Sequence, residues 1–193
     1  MFGNVTMRSG RLVDLSDIDY EKDICMEDII WHHSRCPRWN CHTAITITVA
    51  EHVLYCDDIY MSDIENMDDV DMDKASQFRL DLLLHDAAET FTNDIPTGVK
   101  TDEIRELQDM LDDAIRLKFG MHWLPDKLAI KKIDDKALIG EARSFMGIDT
   151  FKCIMEQVND NEPPDMIPGI FGPDIAAVEL RTRLATLWGF AIG

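Results

Sequence analysis

Three ionisable residues stand together directly after an apolar stretch. His85, Asp86 and Glu89 fall within five residues and follow the leucines at 82–84. Because a helix places residues three and four positions apart on the same face, all three can point into one cavity. Ionised carboxylates are costly to bury unless a cation or a metal partners them. The segment therefore predicts either a reactive site or a set of side chains satisfied by internal hydrogen bonds, and alone it favours neither.

A second acidic residue lies on the apolar face of a later predicted helix. Asp134 is four residues from both Ile130 and Leu138, which mark that face. Its neighbour Asp135 lies off the face and four residues after Lys131, a spacing that favours a surface ion pair. A carboxylate on a buried face needs a cationic partner. A divalent metal, bound together with Asp86 and two neutral histidines, would be that partner.

Two histidines and two carboxylates would form a mixed nitrogen and oxygen ligand set. Such a set suits Mn, Fe, Co, Ni or Zn better than Mg or Ca, and the sequence does not choose among the five.

Four segments resemble HD-domain metal-dependent phosphohydrolases. They are residues 49–52, 85–89, 94–100 and 132–134, and they stand in the order of that family's H…HD…D signature. The chain is most similar to the bacterial deoxyribonucleoside 5′-monophosphatases and to phage enzymes that hydrolyse deoxyadenosine nucleotides. The similarity runs from about Ser9 to Met146. A lone His-Asp pair would be a weak signal, whereas four separated motifs in order are a strong one.

The resemblance assigns roles to five residues. It implies that His52, His85, Asp86 and Asp134 are the metal ligands, Asp86 lying at the reacting centre. It implies that Glu89 handles the attacking water or the leaving group, which is general acid–base work.

The resemblance also implies a set of substrate-binding residues. Arg38 and Trp39 match an Arg-Trp pair that precedes the first metal histidine, where the arginine meets phosphate and the tryptophan shapes the sugar pocket. Here the pair lies one residue closer to that histidine than in the monophosphatases, so both pockets are expected to differ from theirs. A loop that touches the deoxyribose matches four consecutive residues, Asp94, Ile95, Pro96 and Thr97.

The implied activity is metal-dependent hydrolysis of deoxyribonucleotides, with deoxyadenosine nucleotides as the first expectation. Two reactions stay open, a dATP triphosphohydrolase and a dAMP 5′-nucleotidase, in the nucleotide pool of a phage-infected cell. The alternative is an HD-fold module that binds or regulates without catalysis, and the four filled ligand positions argue against it. The resemblance further implies a homo-oligomer.

The elements that must position these residues are predominantly helical. Apolar periodicity predicts helices over residues 22–35, 74–91 and 101–119, a fourth from Pro125 to Met146, and a last one capped by Asp174. The sequence therefore predicts an all-α protein with a single HD domain over residues 1–193. Its motif-bearing core spans 9–146, and a Pro/Gly-rich loop and a helix occupy 147–193.

Composition narrows the class of partner. The net charge of −18 argues against binding long nucleic acid, although a small phosphorylated substrate remains compatible because a bound cation supplies local positive charge. No stretch approaches the roughly 20 apolar residues that a membrane span needs, so no membrane partner is expected. Five cysteines without a CxxC pair favour reduced thiols and the cytoplasm, the host's if a phage encodes the protein.

Overall fold

Helices dominate the computed structural model, which describes residues 3–65, 67–158 and 164–188. The all-α prediction is confirmed. A small antiparallel hairpin pairs β1 with β2, Val5 lying opposite Val13. The elements in chain order are β1 Asn4–Thr6, β2 Leu12–Asp14, α1 Tyr20–Asp23, α2 Met26–His33, α3 Val49–Ile64, α4 Met72–Leu84, α5 Glu89–Thr92, α6 Asp102–Lys118, α7 Lys127–Phe145, α8 Ile148–Gln157 and α9 Pro173–Trp188. None of these helices is long and apolar enough to cross a membrane.

Helix α3 is the central element, and it packs against α4, α7 and α9. Its first nine residues, 49–57, are all buried. The helix begins with a capping box, in which Glu51 N–H donates to Thr48 Oγ1 and Thr48 N–H donates to Glu51 Oε2 at 2.8 Å. Helix α7 crosses α3 closely at Gly140, because the Tyr55 side chain occupies the space that a Cβ would need there.

The Glu51 carboxylate also reaches a distant part of the chain. Its Oε1 accepts hydrogen bonds from the backbone N–H groups of Phe171 at 2.8 Å and Gly172 at 3.1 Å. These residues directly precede α9, so one buried side chain fastens the start of α9 to the start of α3.

The predicted continuous helix over 74–91 is wrong. Helix α4 ends at Leu84, and α5 begins only at Glu89. The residues between them form tight turns, in which the N–H groups of Ala87 and Glu89 donate to the carbonyls three residues earlier, Leu84 and Asp86. This 3₁₀-type geometry aligns residues three apart, so Asp86 and Glu89 still share one side of the chain.

Other boundaries also differ from the sequence prediction. The helix predicted over 22–35 divides into α1 and α2, since Ile24 is extended. Helix α7 is capped by Asp126, which accepts from Ala129 N–H at 3.0 Å, so Pro125 lies outside it. Asp174 lies in the first turn of α9 rather than at its cap. The hairpin and α8 are not predicted, because their segments are short.

Candidate metal centre

Three helices bring two histidines and two aspartates together. His52 lies on α3, His85 and Asp86 directly follow α4, and Asp134 lies on α7. His52 Nε2 is 3.2 Å from Asp134 Oδ1 and 3.9 Å from Asp86 Oδ2. His85 Nε2 is 3.4 Å from Asp86 Oδ1. The two imidazole centres are 5.4 Å apart, which places four predicted site residues around one point.

A hydrogen bond at the opposite nitrogen orients each imidazole. His52 Nδ1–H donates to Glu141 Oε1 at 2.7 Å, and His85 Nδ1–H donates to the Leu82 carbonyl at 2.8 Å. A neutral imidazole that donates from Nδ1 carries its free lone pair on Nε2. His85 Nε2 is buried and has no hydrogen-bond partner among the described residues. Both rings therefore present a metal-ligating atom to the same space.

Cys56 is a third possible nitrogen or sulfur donor that the sequence argument did not single out. Its thiol lies one helical turn after His52, and Sγ is 3.6 Å from His52 Nε2. The ligand atoms of His52, Cys56 and His85 all lie within 4.8 Å of one another, so these three residues form a group that could hold a metal ion. The i, i+4 spacing from His52 is the signal that could have found it.

Glu141 is the second residue that sequence reasoning missed. It is fully buried, and its Oε2 accepts from Trp39 Nε1–H at 2.9 Å and from Arg38 Nε–H at 3.4 Å. Burial opposes ionisation, but the charges of Arg38 and His52 lower the pKa of the carboxyl below its ordinary value. Glu141 lies seven residues after Asp134, which puts both acids on one face of α7 and was visible in the sequence.

The residues that follow Arg38 adopt a strained turn. Trp39, Asn40 and Cys41 have φ values of 57°, 47° and 62°, a left-handed run without glycine. Such residues cost on the order of 1 kcal/mol each or more and persist where surrounding contacts fix them. Here the fixing contacts are those of Trp39 and Arg38 with Glu141, together with Arg38 Nη1, which lies 3.4 Å from Asp86 Oδ2. The Arg-Trp pair is thus held against the metal centre.

Glu89 lies beside the cluster in a buried position. Burial, followed by the charges of Asp86 and Asp94, raises the pKa of its carboxyl to about 9. Oε1 is 3.5 Å from Lys100 Nζ, and Oε2 has no partner among the described residues. Glu89 therefore carries a proton at neutral pH in the absence of a metal.

The loop predicted to touch a sugar approaches the cluster only at its first residue. Burial and the nearby Asp86 raise the pKa of Asp94, against the opposing charge of Arg38. Ile95 is half-buried, whereas Pro96 and Thr97 are exposed. The Thr97 carbonyl accepts from Arg105 on α6 at 2.9 Å, which ties this loop to the next helix.

A cavity of about 900 Å³ opens onto the cluster between α4, α6 and α7. His85 and Asp134 line its inner end, and Lys127 and Lys131 line the α7 side. Lys131 Nζ is 3.0 Å from Asp134 Oδ2 and 2.6 Å from Asp135 Oδ1. The volume of this cavity falls within the range of roughly 300–1,000 Å³ that is usual for small-molecule sites.

Comparison with known proteins finds two relatives of this chain. No family model matches it. Uncharacterized protein RCAP_rcc00048 of Rhodobacter capsulatus is 34% identical over 149 residues, which cover 73% of this chain and 72% of the relative. The chain belongs to the RCAP_rcc00048 family. Uncharacterized protein YfdR of Escherichia coli (strain K12) is 25% identical to this RCAP_rcc00048-family chain over 151 residues, 76% of the chain and 75% of YfdR.

Proposed function

We propose that the protein is an HD-domain phosphohydrolase whose single divalent cation is held by His52, His85, Asp86 and Asp134. The orientation of the two imidazoles carries this proposal. Each donates from Nδ1 to a fixed acceptor, so that each Nε2 atom faces a carboxylate within 4 Å. Burial and Arg38 oppose a charge on His52, but Cys56, Glu141 and the hydrogen bond to Asp134 raise its pKa, so without a metal its Nε2 carries a proton that a bound cation would displace. Two inward nitrogens beside two carboxylates match the ligand set that the sequence resemblance implies.

The charge states favour the two aspartates over Cys56 as the further ligands. Burial raises the pKa of the Cys56 thiol, so without a metal the thiol is protonated, whereas the charges around Asp86 and Asp134 outweigh their burial and lower the pKa of both carboxyls. Burial acts on Asp134 too, but the hydrogen bond and charge of His52, with further charges from His85 and Lys131, hold the pKa of Asp134 well below its ordinary value. The resulting ligand set suits Mn, Fe, Co, Ni or Zn.

The surrounding side chains fit phosphoryl transfer to water. A cation bound by these residues supplies an activated water and polarises a phosphoryl oxygen. Arg38 can reach a phosphate oxygen at the cluster, because its guanidinium is only 3.4 Å from Asp86 and is partly exposed. In its protonated form Glu89 could give a proton to the leaving oxygen. In this proposal Arg38 binds the phosphate and Glu89 transfers the proton.

The substrate proposed is a 2′-deoxyribonucleotide, with dAMP and dATP as the two candidates. The cavity beside His85 and Asp134 has room for a nucleotide. Its lining carries more carboxylates than cations, and Lys127 and Lys131 are already paired with aspartates, so a bound cation would have to supply the local positive charge that a phosphate needs. Asp94 lies five residues after Glu89 in the sequence. Its carboxylate is available to accept a hydrogen bond from the sugar 3′-hydroxyl. A close fit around the sugar would leave no room for a 2′-hydroxyl.

Metal analysis of the purified protein, followed by product analysis, tests the proposal. We expect one transition metal per chain, and release of inorganic phosphate from dAMP or of triphosphate from dATP, with His85→Gln losing both metal and turnover. Asp135→Asn is the matched control on the same cluster's rim. Metal binding without turnover on any nucleotide would instead identify a non-catalytic HD module. Size-exclusion chromatography of the same sample tests the expected homo-oligomer.

A further inference from the structure

A second cavity lies away from the metal centre, behind α5. It has a volume of about 350 Å³ and is enclosed by the end of β1, by α2 and by α5. Trp31 on α2 forms one wall and is 38% exposed. Arg8, Arg35, Thr90 and Asn93 also line this cavity.

Two guanidinium groups cover the faces of the Trp31 indole. The Cζ atom of Arg8 lies 3.9 Å from the ring centroid, and that of Arg35 lies 3.4 Å from it. Two guanidiniums this close to one centroid would collide on the same face, so they occupy opposite faces. The two carbons therefore lie roughly 7 Å apart on either side of the indole, so an anion such as phosphate at the indole edge would be attracted by both positive charges.

The charges of this cavity favour an anion, although the protein carries a net charge of −18. Arg8 forms no ion pair with any carboxylate in the described ranges, and the partner of Arg35, Asp174, has a side chain that is 92% exposed. The carboxylate of the cavity residue Asp28 is already satisfied by Ser9 N–H at 2.8 Å and by Ser9 Oγ at 2.6 Å. Asp28 is thus occupied by Ser9 and Asp174 lies at the exposed rim, which leaves Arg8 as a cation without a carboxylate partner among the described residues.

Two buried polar atoms on the cavity residues have no partner among the described residues. Thr90 is only 6% exposed, and its Oγ1 makes no hydrogen bond. His32 Nε2–H donates to Asn93 Oδ1 at 3.2 Å, which leaves the buried Nδ1 as an unused acceptor. A buried polar group without a partner is destabilising, so both atoms would gain from a ligand that offers hydroxyl or amino groups.

We propose that this cavity is a second binding site for a small phosphate-bearing molecule, with the phosphate held by Arg8 and Arg35 and its hydroxyl or amino groups meeting Thr90 and His32. A nucleotide combines both features, whereas inorganic phosphate offers only the first. The site shares no lining residue with the metal centre or with the large cavity.

Occupancy of this site would act on α5. Thr90 directly follows Glu89, and Asn93, whose φ is 62°, directly precedes Asp94. A ligand that orders these two residues also orders the proton-bearing carboxyl and the start of the sugar loop. This effect on turnover rests on the proposed function, whereas binding itself does not.

Binding is measured by calorimetry on metal-free full-length protein with AMP and with inorganic phosphate as probes. We expect one AMP site per chain, about tenfold or more weaker in Arg8→Ala, in line with the loss of a charged hydrogen bond. Arg8 is exposed and contacts Trp31 through its guanidinium, so its removal should lower the thermal unfolding midpoint by no more than a few degrees. Thr90→Val should weaken AMP more than phosphate. Arg143→Ala removes the same charge from an exposed position elsewhere and should bind as the wild type does.

Three results would overturn the site. The first is no binding of either probe at millimolar concentration, and the second is an AMP affinity that is equal in the wild type and in Arg8→Ala. The third is loss of AMP binding in Asp134→Ala, which would place the ligand at the metal centre. Arg8-dependent binding in a protein without any turnover would sink the proposed function and leave this site standing. Turnover without Arg8-dependent binding would do the reverse.

Discussion

Replacing His33 with leucine tests the electrostatics of the buried region behind the metal centre. His33 is 0% exposed, and neither ring nitrogen has a hydrogen-bond partner among the described residues. Burial, followed by the charge of His32, lowers the pKa of His33 to about 3. In the unfolded chain the imidazole returns to an ordinary pKa near 6.5. The folded protein thus holds this histidine neutral at a pH where the unfolded chain protonates it.

The sign and size of the effect follow from proton linkage. As pH falls below 6.5, the unfolded state binds a proton that the native state refuses, so the free energy of unfolding falls, down to about pH 3. At pH 7.5 this contribution is close to zero, and at pH 5.0 it reaches about 2 kcal/mol. Leucine cannot titrate, so His33→Leu should be about 2 kcal/mol less sensitive to the same pH change.

The assay is urea unfolding of wild type and His33→Leu at pH 7.5 and pH 5.0, both with chelator. The informative quantity is the change with pH in the stability difference between the two proteins, because any packing effect of leucine is the same at both pH values. We expect the variant to gain about 2 kcal/mol relative to the wild type, or roughly 1 M in urea midpoint. A pH-independent difference would refute the reasoning and show that the imidazole has a polar partner in solution.

Three further predictions concern the proposed site. Asp134→Asn should abolish metal retention and turnover, whereas Asp135→Asn should leave both nearly intact, because only Asp134 lies 3.2 Å from His52. The metal content and turnover of the two variants test this, and an essential Asp135 would contradict the ligand assignment. Glu89→Gln should keep the metal but lower kcat by about 10²-fold or more, and loss of the metal in this variant would make Glu89 a ligand. Deoxyribonucleotides should be hydrolysed far better than ribonucleotides, with the kcat/KM ratio falling in Asp94→Ala and Trp39→Ala; equal wild-type rates on both sugars would exclude a sugar-reading role for either residue.

The sequence predicted the helical class because long periodic segments such as α6 carry their own signal. It also predicted that Asp134 faces the site and that Asp135 pairs with Lys131; Asp134 does lie 3.2 Å from His52 and Asp135 does contact Lys131, but the two carboxylates are about equally exposed, at 24% and 21%, and Lys131 contacts both. It could not predict that α4 ends at Leu84, since the residues before that point are apolar on nearly every face of the helix and the pattern therefore marks no boundary.

The network behind the histidines was hidden for a different reason. Glu141 acts through residues more than a hundred positions away in sequence, Arg38 and Trp39. Periodicity shows only that such a side chain is on a buried face, and not which partner makes its burial tolerable. The left-handed turn at Trp39 was equally hard to predict, because only Asn40 among its three residues favours positive φ.

The hydrogen bonds of Glu51 set an order of events during synthesis. Its two N–H partners, on Phe171 and Gly172, are separated from it by 120 and 121 residues of chain. Until residues 171 and 172 have been synthesised, Glu51 Oε1 at the start of α3 lacks both of its hydrogen-bond donors. The helix that carries His52 is then without this contact. A protein cut short before residue 171 should fold poorly and load metal poorly even though it would contain every proposed ligand. Competence of the proposed metal centre thus depends on a segment, residues 171 and 172, that contributes none of its ligands.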